Sequence, residues 1–338
     1  MRITDSLIER KPLVVLLGPT AVGKSRVAIM LAKALETEVL TADSRQVYRG
    51  MDIGMDKPSL EERDSVPHRL IDLVEPDQSF NAGEYRHLAV AEIDRLHRGG
   101  RLPLVVGGTG LYIRALIRGL WDGPSADWGY RRSLEENARQ YGRDWLHQRL
   151  TEVDPALAGR LHPHDAVKII RGLETHHLLG RPLSELHRQH GFGKSEFTTL
   201  LIGLAQDRDS LYRAIDARVD AQLKKGLLAE TQQLLAKGYD RQLGSMKGLG
   251  YRQMAGYLAG EHSYDEAVRR LKRDTRHFAK RQMTWFRKEP DIHWLPIAEN
   301  ESTDRVVSRA LDRVDRFLGE CRSATPIAAC PNPVMING

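Results

Sequence analysis

One eight-residue stretch constrains this chain more than any other. GPTAVGKS, Gly18 to Ser25, follows the apolar run Leu13 to Leu17 and leads into a helical pattern of Val27, Leu31 and Leu35. A strand, a glycine-rich turn and a helix in that order form a phosphate-binding loop. Gly18, Pro19, Thr20, Ala21, Val22, Gly23, Lys24 and Ser25 are therefore expected to bind a diphosphate or triphosphate. Loop amides and the positive end of the helix hold phosphate oxygens, Lys24 adds a point charge, and the Ser25 hydroxyl can complete a magnesium (Mg2+) shell. A bare glycine turn that happens to carry a lysine is the plainer reading, and the flanking strand and helix argue against it.

Further short apolar runs, Glu38 to Ala42, Leu102 to Val106 and residues 197–205, alternate with helical segments. That alternation implies an α/β fold, a P-loop NTPase-like parallel sheet with flanking helices, whose active site lies at the carboxyl ends of the strands. Between Pro124 and Ser195 no strand pattern survives and Arg, His and Glu abound, which reads as an inserted helical subdomain. The expected organisation is a first part of the core over residues 1–123, the insertion over 124–195, core completion with basic helices over 196–320, and a flexible tail over 321–338. At roughly 100 to 200 residues per domain, 338 residues suit such a plan.

Composition narrows the setting. Two cysteines exclude a disulfide framework and lack zinc-site spacing, no run approaches the roughly 18 apolar residues of a membrane helix, and a cytoplasmic, non-membrane, monomeric protein is expected. The net charge of +6 is unevenly spread: nine of the twenty residues from Arg269 to Lys288 are Lys or Arg and only Asp274 is acidic. Such a patch suits a polyanion, although charge runs are often only solvated helix faces. Within it Leu271, Phe278 and Trp285 recur every seven residues and are expected to form the packed stripe.

Kinases, NTPases and group transferases all use a phosphate loop. The strand LPLVVGG ends in Gly107 and Gly108 without the acidic residue that usually holds magnesium for NTP hydrolysis. If the bound phosphate is instead a leaving group, the site needs charge stabilisation and a positioned acceptor. Asp43, at the end of the second strand, lies on the same rim and could take a proton; spacing alone would equally make it a cap for the following turn.

GPTAVGKS, DSRQVYRGMDIG, KPS, VPHRLID, GGTGLYIRALIRGL, GRPLSEL, GYRQ and TRHFAKRQMTWFRK, in this order over about residues 12 to 290, resemble the bacterial tRNA dimethylallyltransferases. The resemblance implies transfer of a dimethylallyl group from dimethylallyl diphosphate to the exocyclic amine of the adenine 3′ to the anticodon, in tRNAs reading codons that begin with U. It implies catalytic roles for Asp43 as general base and for Thr109 and Arg218, which with Thr20 hold the diphosphate or the reacting centre. It implies contacts with the tRNA anticodon stem-loop from Asp43, Ser44, Arg45 and Gln46, from Val167, Lys168, Ile169, Ile170 and Arg171, from Gly250, Tyr251, Arg252 and Gln253, and from Lys280, Arg281, Gln282, Met283, Thr284, Trp285, Phe286 and Arg287. The chain departs from the family pattern at Lys168, where arginine is usual, at Met55 and Asp56, where small residues are usual, and at Arg69, where a second histidine is common. A free-nucleotide isopentenyltransferase would share the loop and Asp43 but has little use for the insertion or the basic helix.

Overall fold

The computed structural model describes residues 3–121, 123–142, 144–190 and 195–323. Six parallel strands form one sheet: β1 (Pro12–Leu17), β2 (Val39–Ala42), β3 (His68–Arg69), β4 (Leu104–Gly107), β5 (Thr198–Gln206) and β6 (Ile292–Ile297), in the order β3-β2-β4-β1-β5-β6. This is the P-loop NTPase-like parallel sheet expected from the alternating pattern. β1, β2 and β4 are buried at every position, as strands covered by helices on both faces must be, and so read as continuous apolar runs. The register pairs Leu17 with Gly107 and Gly107 with Ala42. The residues after β1, β2 and β4 therefore leave the sheet at one level.

Contacts within the chain divide it into two compact units, one taking in residues up to Ile117 and from Glu196 onward, the other Arg118–Ser195. The core of the first unit packs Leu16, Leu31, Leu104, Ile202 and Val314 together, drawing on β1, β4, β5 and the helices Lys24–Leu35 and Thr303–Ser323. A second apolar cluster joins Val47, Met51, Met55, Leu227, Tyr251, Met254 and Leu271 behind the loop that follows β2. Met55 is thus a core residue 6% exposed, which accounts for a large apolar side chain at that position.

The helical unit contains no strand among its described residues. Its core gathers Leu134, Leu146, Leu150, Ile169, Ile170 and Leu173 around the fully buried Glu174 carboxylate. Arg131 and Arg171 both reach that carboxylate, and Arg171 also donates to the Pro124 carbonyl at 3.0 Å. Burial alone would raise the Glu174 pKa, but the two guanidinium groups and the Asp127 amide outweigh it and hold the carboxyl low.

Several features differ from the sequence reading: the two-residue β3 was not expected, and the helical unit begins at Arg118 where residue 124 was expected. β6, with the sequence IHWLPI, was not expected; it is the sheet edge, is mostly half-exposed and contains Pro296, so it lacks both an apolar run and regular alternation. The last helix continues to Ser323 with Cys321 buried, three residues into the segment expected as a tail, and the rest of that segment lies outside the described residues. The basic helix, Tyr264–Phe286, buries Ala267, Leu271, Thr275, Ala279, Gln282 and Phe286, leaving Phe278 and Trp285 only partly covered. A straight helix follows the 3.6-residue period, and four of its six inward positions are small or polar, so a seven-residue search for large apolar side chains misplaced the face.

Candidate active site

Four segments meet at the carboxyl ends of β1, β2 and β4. The phosphate loop turns from β1 into the helix Lys24–Leu35, whose N-terminal cap is Gly23 with φ 92°, a left-handed conformation that an L side chain rarely adopts. Lys24 folds back over the loop and donates to the Pro19 carbonyl at 2.7 Å. Arg218, from the helix Arg208–Lys224, donates to the Thr20 hydroxyl at 2.7 Å and lies 3.3 Å from the Asp56 carboxylate. Asp56, unusual by comparison with the family pattern, is therefore the anionic partner of Arg218, held at φ 50°.

The Lys24 ammonium is pulled down to about 8 from 10.5, chiefly by burial and then by the charge of Arg218, with Asp43 and Asp56 opposing both. Lysine, arginine and two carboxylates thus act on one another across the loop. A cleft of about 460 Å³ opens there, lined by Lys24, Ser25, Asp56 and Arg218 among others. A lysine crowded by another cation and poor in water gains most when an anion enters.

Asp43 follows β2 directly. Its Oδ1 accepts from the Arg45 amide at 2.8 Å, so the capping role is real, while among the described residues no donor meets Oδ2. Thr109 sits across from it: its amide donates to the Ala42 carbonyl at 3.2 Å and its hydroxyl accepts from the Ser44 amide at 2.9 Å. Thr109 thereby fixes the turn that carries Asp43. Tyr112, one helical turn further, is buried and stacks on Tyr85 at 4.4 Å between ring centroids. Its hydroxyl is kept protonated chiefly by burial, with Tyr48 and the Asp43 charge adding to the effect. Tyr112 and Tyr85 thus form a buried aromatic pair within electrostatic reach of the carboxylate.

The other expected RNA-contacting residues divide by exposure. Lys280, Arg281, Thr284 and Arg287 are exposed, Met283 and Trp285 are half-buried, and Gln282 and Phe286 face inward. In the helical unit Val167 is 81% exposed and Lys168 pairs with Asp165, whereas Ile169 and Ile170 are core and Arg171 is committed to Glu174. At the Gly250 joint, Arg252 is exposed and pairs with Asp274, while Tyr251 and Gln253 are buried. Arg45 reaches the Gly244 carbonyl at 2.8 Å and Gln46 the carbonyls of Met55 and Asp56. Arg69 is an edge residue of β3 bound to Glu38, which also takes Arg95 and Arg101.

Several organising residues escaped sequence reading. Glu230 accepts from the amides of Asp52, Ile53 and Gly54 and from the Tyr251 hydroxyl, clamping the GMDIG loop that presents Asp56. Lys57, with a side chain 1% exposed, ties that loop to Asp52, Asp72 and the Tyr48 carbonyl. Gln282 joins the phosphate loop to Gly108. Glu230 lay in no segment that sequence reading singled out; the K of KPS and Gln282 did, Gln282 as an expected RNA contact, but their structural partners, most of them distant in sequence, were not announced by any local motif.

The chain is similar to known proteins over most of its length. The family model described as IPP transferase matches residues 46–289. The chain is 49% identical over 291 residues to tRNA dimethylallyltransferase 2 of Geotalea uraniireducens, covering 86% of this chain and 94% of the relative. It is 48% identical over 308 residues to the tRNA dimethylallyltransferase of Syntrophobacter fumaroxidans, covering 91% and 90%. Among solved structures, the full-length tRNA isopentenylpyrophosphate transferase from Bacillus halodurans matches with a TM-score of 0.70 at 39% identity, over 92% of this chain and 98% of that one. A eukaryotic dimethylallyltransferase acting on tRNA matches with a TM-score of 0.77 at 27% identity, over 90% and 80%.

Proposed function

The chain belongs to the IPP transferase family, a family of prenyl-transferring enzymes, and from that premise we propose that it moves a dimethylallyl group from dimethylallyl diphosphate onto the exocyclic amine of the adenine 3′ to the anticodon in tRNAs reading codons that begin with U. The observation that carries the reading is the shared rim: Ala42, Gly107 and Leu17 are in register, so the turn beginning at Asp43 and the phosphate loop leave the sheet at one level, and the Asp43 charge acts on the Lys24 ammonium. One group can hold a leaving anion while the other receives a proton.

In this reading the amine nitrogen attacks the allylic carbon, the carbon–oxygen bond to diphosphate breaks, and the amine proton passes to Asp43, whose Oδ2 meets no donor among the described residues. The developing negative charge on diphosphate is met by Lys24, Arg218 and the loop amides. The adenine amine is a weak nucleophile, so alignment in a water-poor space supplies much of the acceleration. An adenine stacked within RNA cannot reach the rim and must be extruded.

Among the described residues no group of three His, Cys, Asp or Glu could hold a metal by itself. The donor set at the loop is a serine hydroxyl beside a phosphate site, which fits an ion carried mainly by diphosphate oxygens and water. Ser25 would hold Mg2+ there, and the ion would add positive charge opposite the departing oxygen. The exposed cations of the basic helix and of the helical unit are assigned to the anticodon stem-loop, and Thr109 to positioning the Asp43 turn. We further propose that the protein acts in the cytoplasm; among the described residues no helix is long and apolar enough to cross a membrane. Incubation with labelled dimethylallyl diphosphate and an anticodon stem-loop tests the assignment, with label on the adenine next to the anticodon as the expected product and label elsewhere, or none, as the refutation.

A further inference from the structure

The helix Tyr264–Phe286 belongs both to the proposed RNA surface and to the diphosphate site. Lys280, Arg281 and Arg287 lie on its exposed side, and Gln282 points the other way with 8% exposure. Burying a side-chain amide is costly unless both of its ends are satisfied. Here they are: Oε1 accepts from the Thr20 amide at 2.8 Å and Nε2 donates to the Gly108 carbonyl at 2.9 Å. A backbone N–H can only donate and a carbonyl only accept, so the two partners fix the orientation of the amide.

Both partners are parts of the site. Thr20 is the loop residue whose hydroxyl receives Arg218, and Gly108 precedes Thr109, which holds the Ser44 amide beside Asp43. The helix is also braced nearby. A Cβ at Gly110 would lie 2.2 Å from the Trp285 ring, so only glycine lets the two approach, and the Arg114 guanidinium sits 4.2 Å from that ring's centroid while pairing with Glu289.

We propose that Gln282 is a positioning residue for prenyl transfer, a strut that sets the phosphate loop and the Asp43 turn at a fixed separation and makes the grip on diphosphate depend on the seating of the RNA-facing helix. The proposal rests on the diphosphate reading given above. In this proposal Gln282 acts through the Thr20 amide and the Gly108 carbonyl rather than on either substrate directly.

The test uses the full chain and three variants. Gln282→Ala removes both hydrogen bonds. Gln282→Glu is isosteric, keeps an acceptor for Thr20 and sets a carboxylate against the Gly108 carbonyl. Thr275→Ala is the structural control, because Thr275 lies on the same buried face and its hydroxyl donates only to the Leu271 carbonyl of its own helix. Calorimetric titration with magnesium diphosphate, titration with the stem-loop RNA, KM and kcat for dimethylallyl diphosphate, and the thermal midpoint are compared. Two lost hydrogen bonds predict about a tenfold weaker diphosphate affinity for Gln282→Ala and a matching rise in KM, with RNA affinity within about twofold.

Gln282→Glu, compared with the wild type at a pH where the new carboxyl is ionised, should show the same direction, and it carries the test if Gln282→Ala does not fold. Thr275→Ala should lose thermal stability without changing diphosphate affinity. Unchanged diphosphate affinity in both Gln282 variants, or a loss no larger than in Thr275→Ala, would overturn the proposal, as would a loss confined to RNA binding. A wild-type chain that binds diphosphate but transfers no prenyl group would sink the functional reading instead, leaving the Gln282 comparison readable from the titration alone.

Discussion

The phosphate loop draws its contacts from eight consecutive residues, whereas the helix Tyr264–Phe286 serves two purposes by dividing its circumference. In the loop, backbone amides and a helix end are the working parts, and the sequence needs glycines, a lysine and a serine at fixed spacing to expose them. In the helix, side chains are the working parts. Gln282 faces the loop, and Lys280 and Arg287 face outward. A contiguous site can be read from a pattern; a site divided by face can be read only once the face is known. The two regions should therefore fail differently when altered, the loop and its neighbour Asp43 in the chemistry, the outer helix face in RNA affinity and its salt dependence.

The sharpest expected contrast is at Asp43. Removing a general base costs about a hundred- to ten-thousandfold in rate, so Asp43→Ala should lose turnover on that scale while binding the stem-loop nearly as the wild type does. Single-turnover rates beside an RNA titration check this, and retention of most of the turnover would remove the proton-accepting role. Lys24→Ala comes next: it should raise KM for dimethylallyl diphosphate and weaken diphosphate binding with little change in RNA affinity.

The same lysine gives a pH signature. With its ammonium at about 8 before the anion binds, the binding form is the protonated one. Diphosphate affinity should hold below pH 8 and fall above it, by at most about tenfold per pH unit, with a proton taken up on binding. Calorimetry in buffers of different ionisation heat reads that uptake, and affinity that rises with pH through 8 to 9 would contradict it.

On the helix, Lys280→Ala and Arg287→Ala should weaken RNA binding without moving the diphosphate constants. If the helix meets about four phosphates, the logarithm of RNA affinity should fall with the logarithm of salt at a slope of roughly −3, and each lost contact should reduce the slope by about 1. A slope that ignores both variants would return the patch to a solvated face. The smallest effect expected is structural: Glu38→Gln should cost about 1–3 kcal/mol, because the carboxylate receives three arginines in a buried position. Burial opposes its ionisation, but Arg95 and Arg69 prevail and hold it at about 2, so this stabilisation is complete above about pH 4.5 and fades as pH falls towards 2. Thermal midpoints at pH 7 and pH 3 for both forms would converge at the lower value.

Much of the core was legible because buried parallel strands are apolar throughout; β1, β2, β4 and β5 all lie within a residue or two of their expected runs. β3 and β6 were not, since β3 spans only two residues and an edge strand needs no continuous burial. In the site, Lys24 is placed by a single strand and its turn, so spacing sufficed; Asp43 is placed likewise, but spacing left it equally a cap and the family resemblance singled it out. Arg218 meeting Thr20, Glu230 meeting three amides, and Gln282 meeting Gly108 join segments far apart in sequence, and only packing brings them together. The inward face of the basic helix was misread because Thr275, Ala279 and Gln282 pack closely without being large and apolar.

The central claim is that the loop holds an anion leaving carbon. Purified chain, given radiolabelled dimethylallyl diphosphate, magnesium, ATP and tRNA, decides it in one assay. The account predicts label in the RNA and one inorganic diphosphate released per group transferred, with ATP intact. Inorganic phosphate liberated from ATP while the prenyl donor remains whole would contradict it.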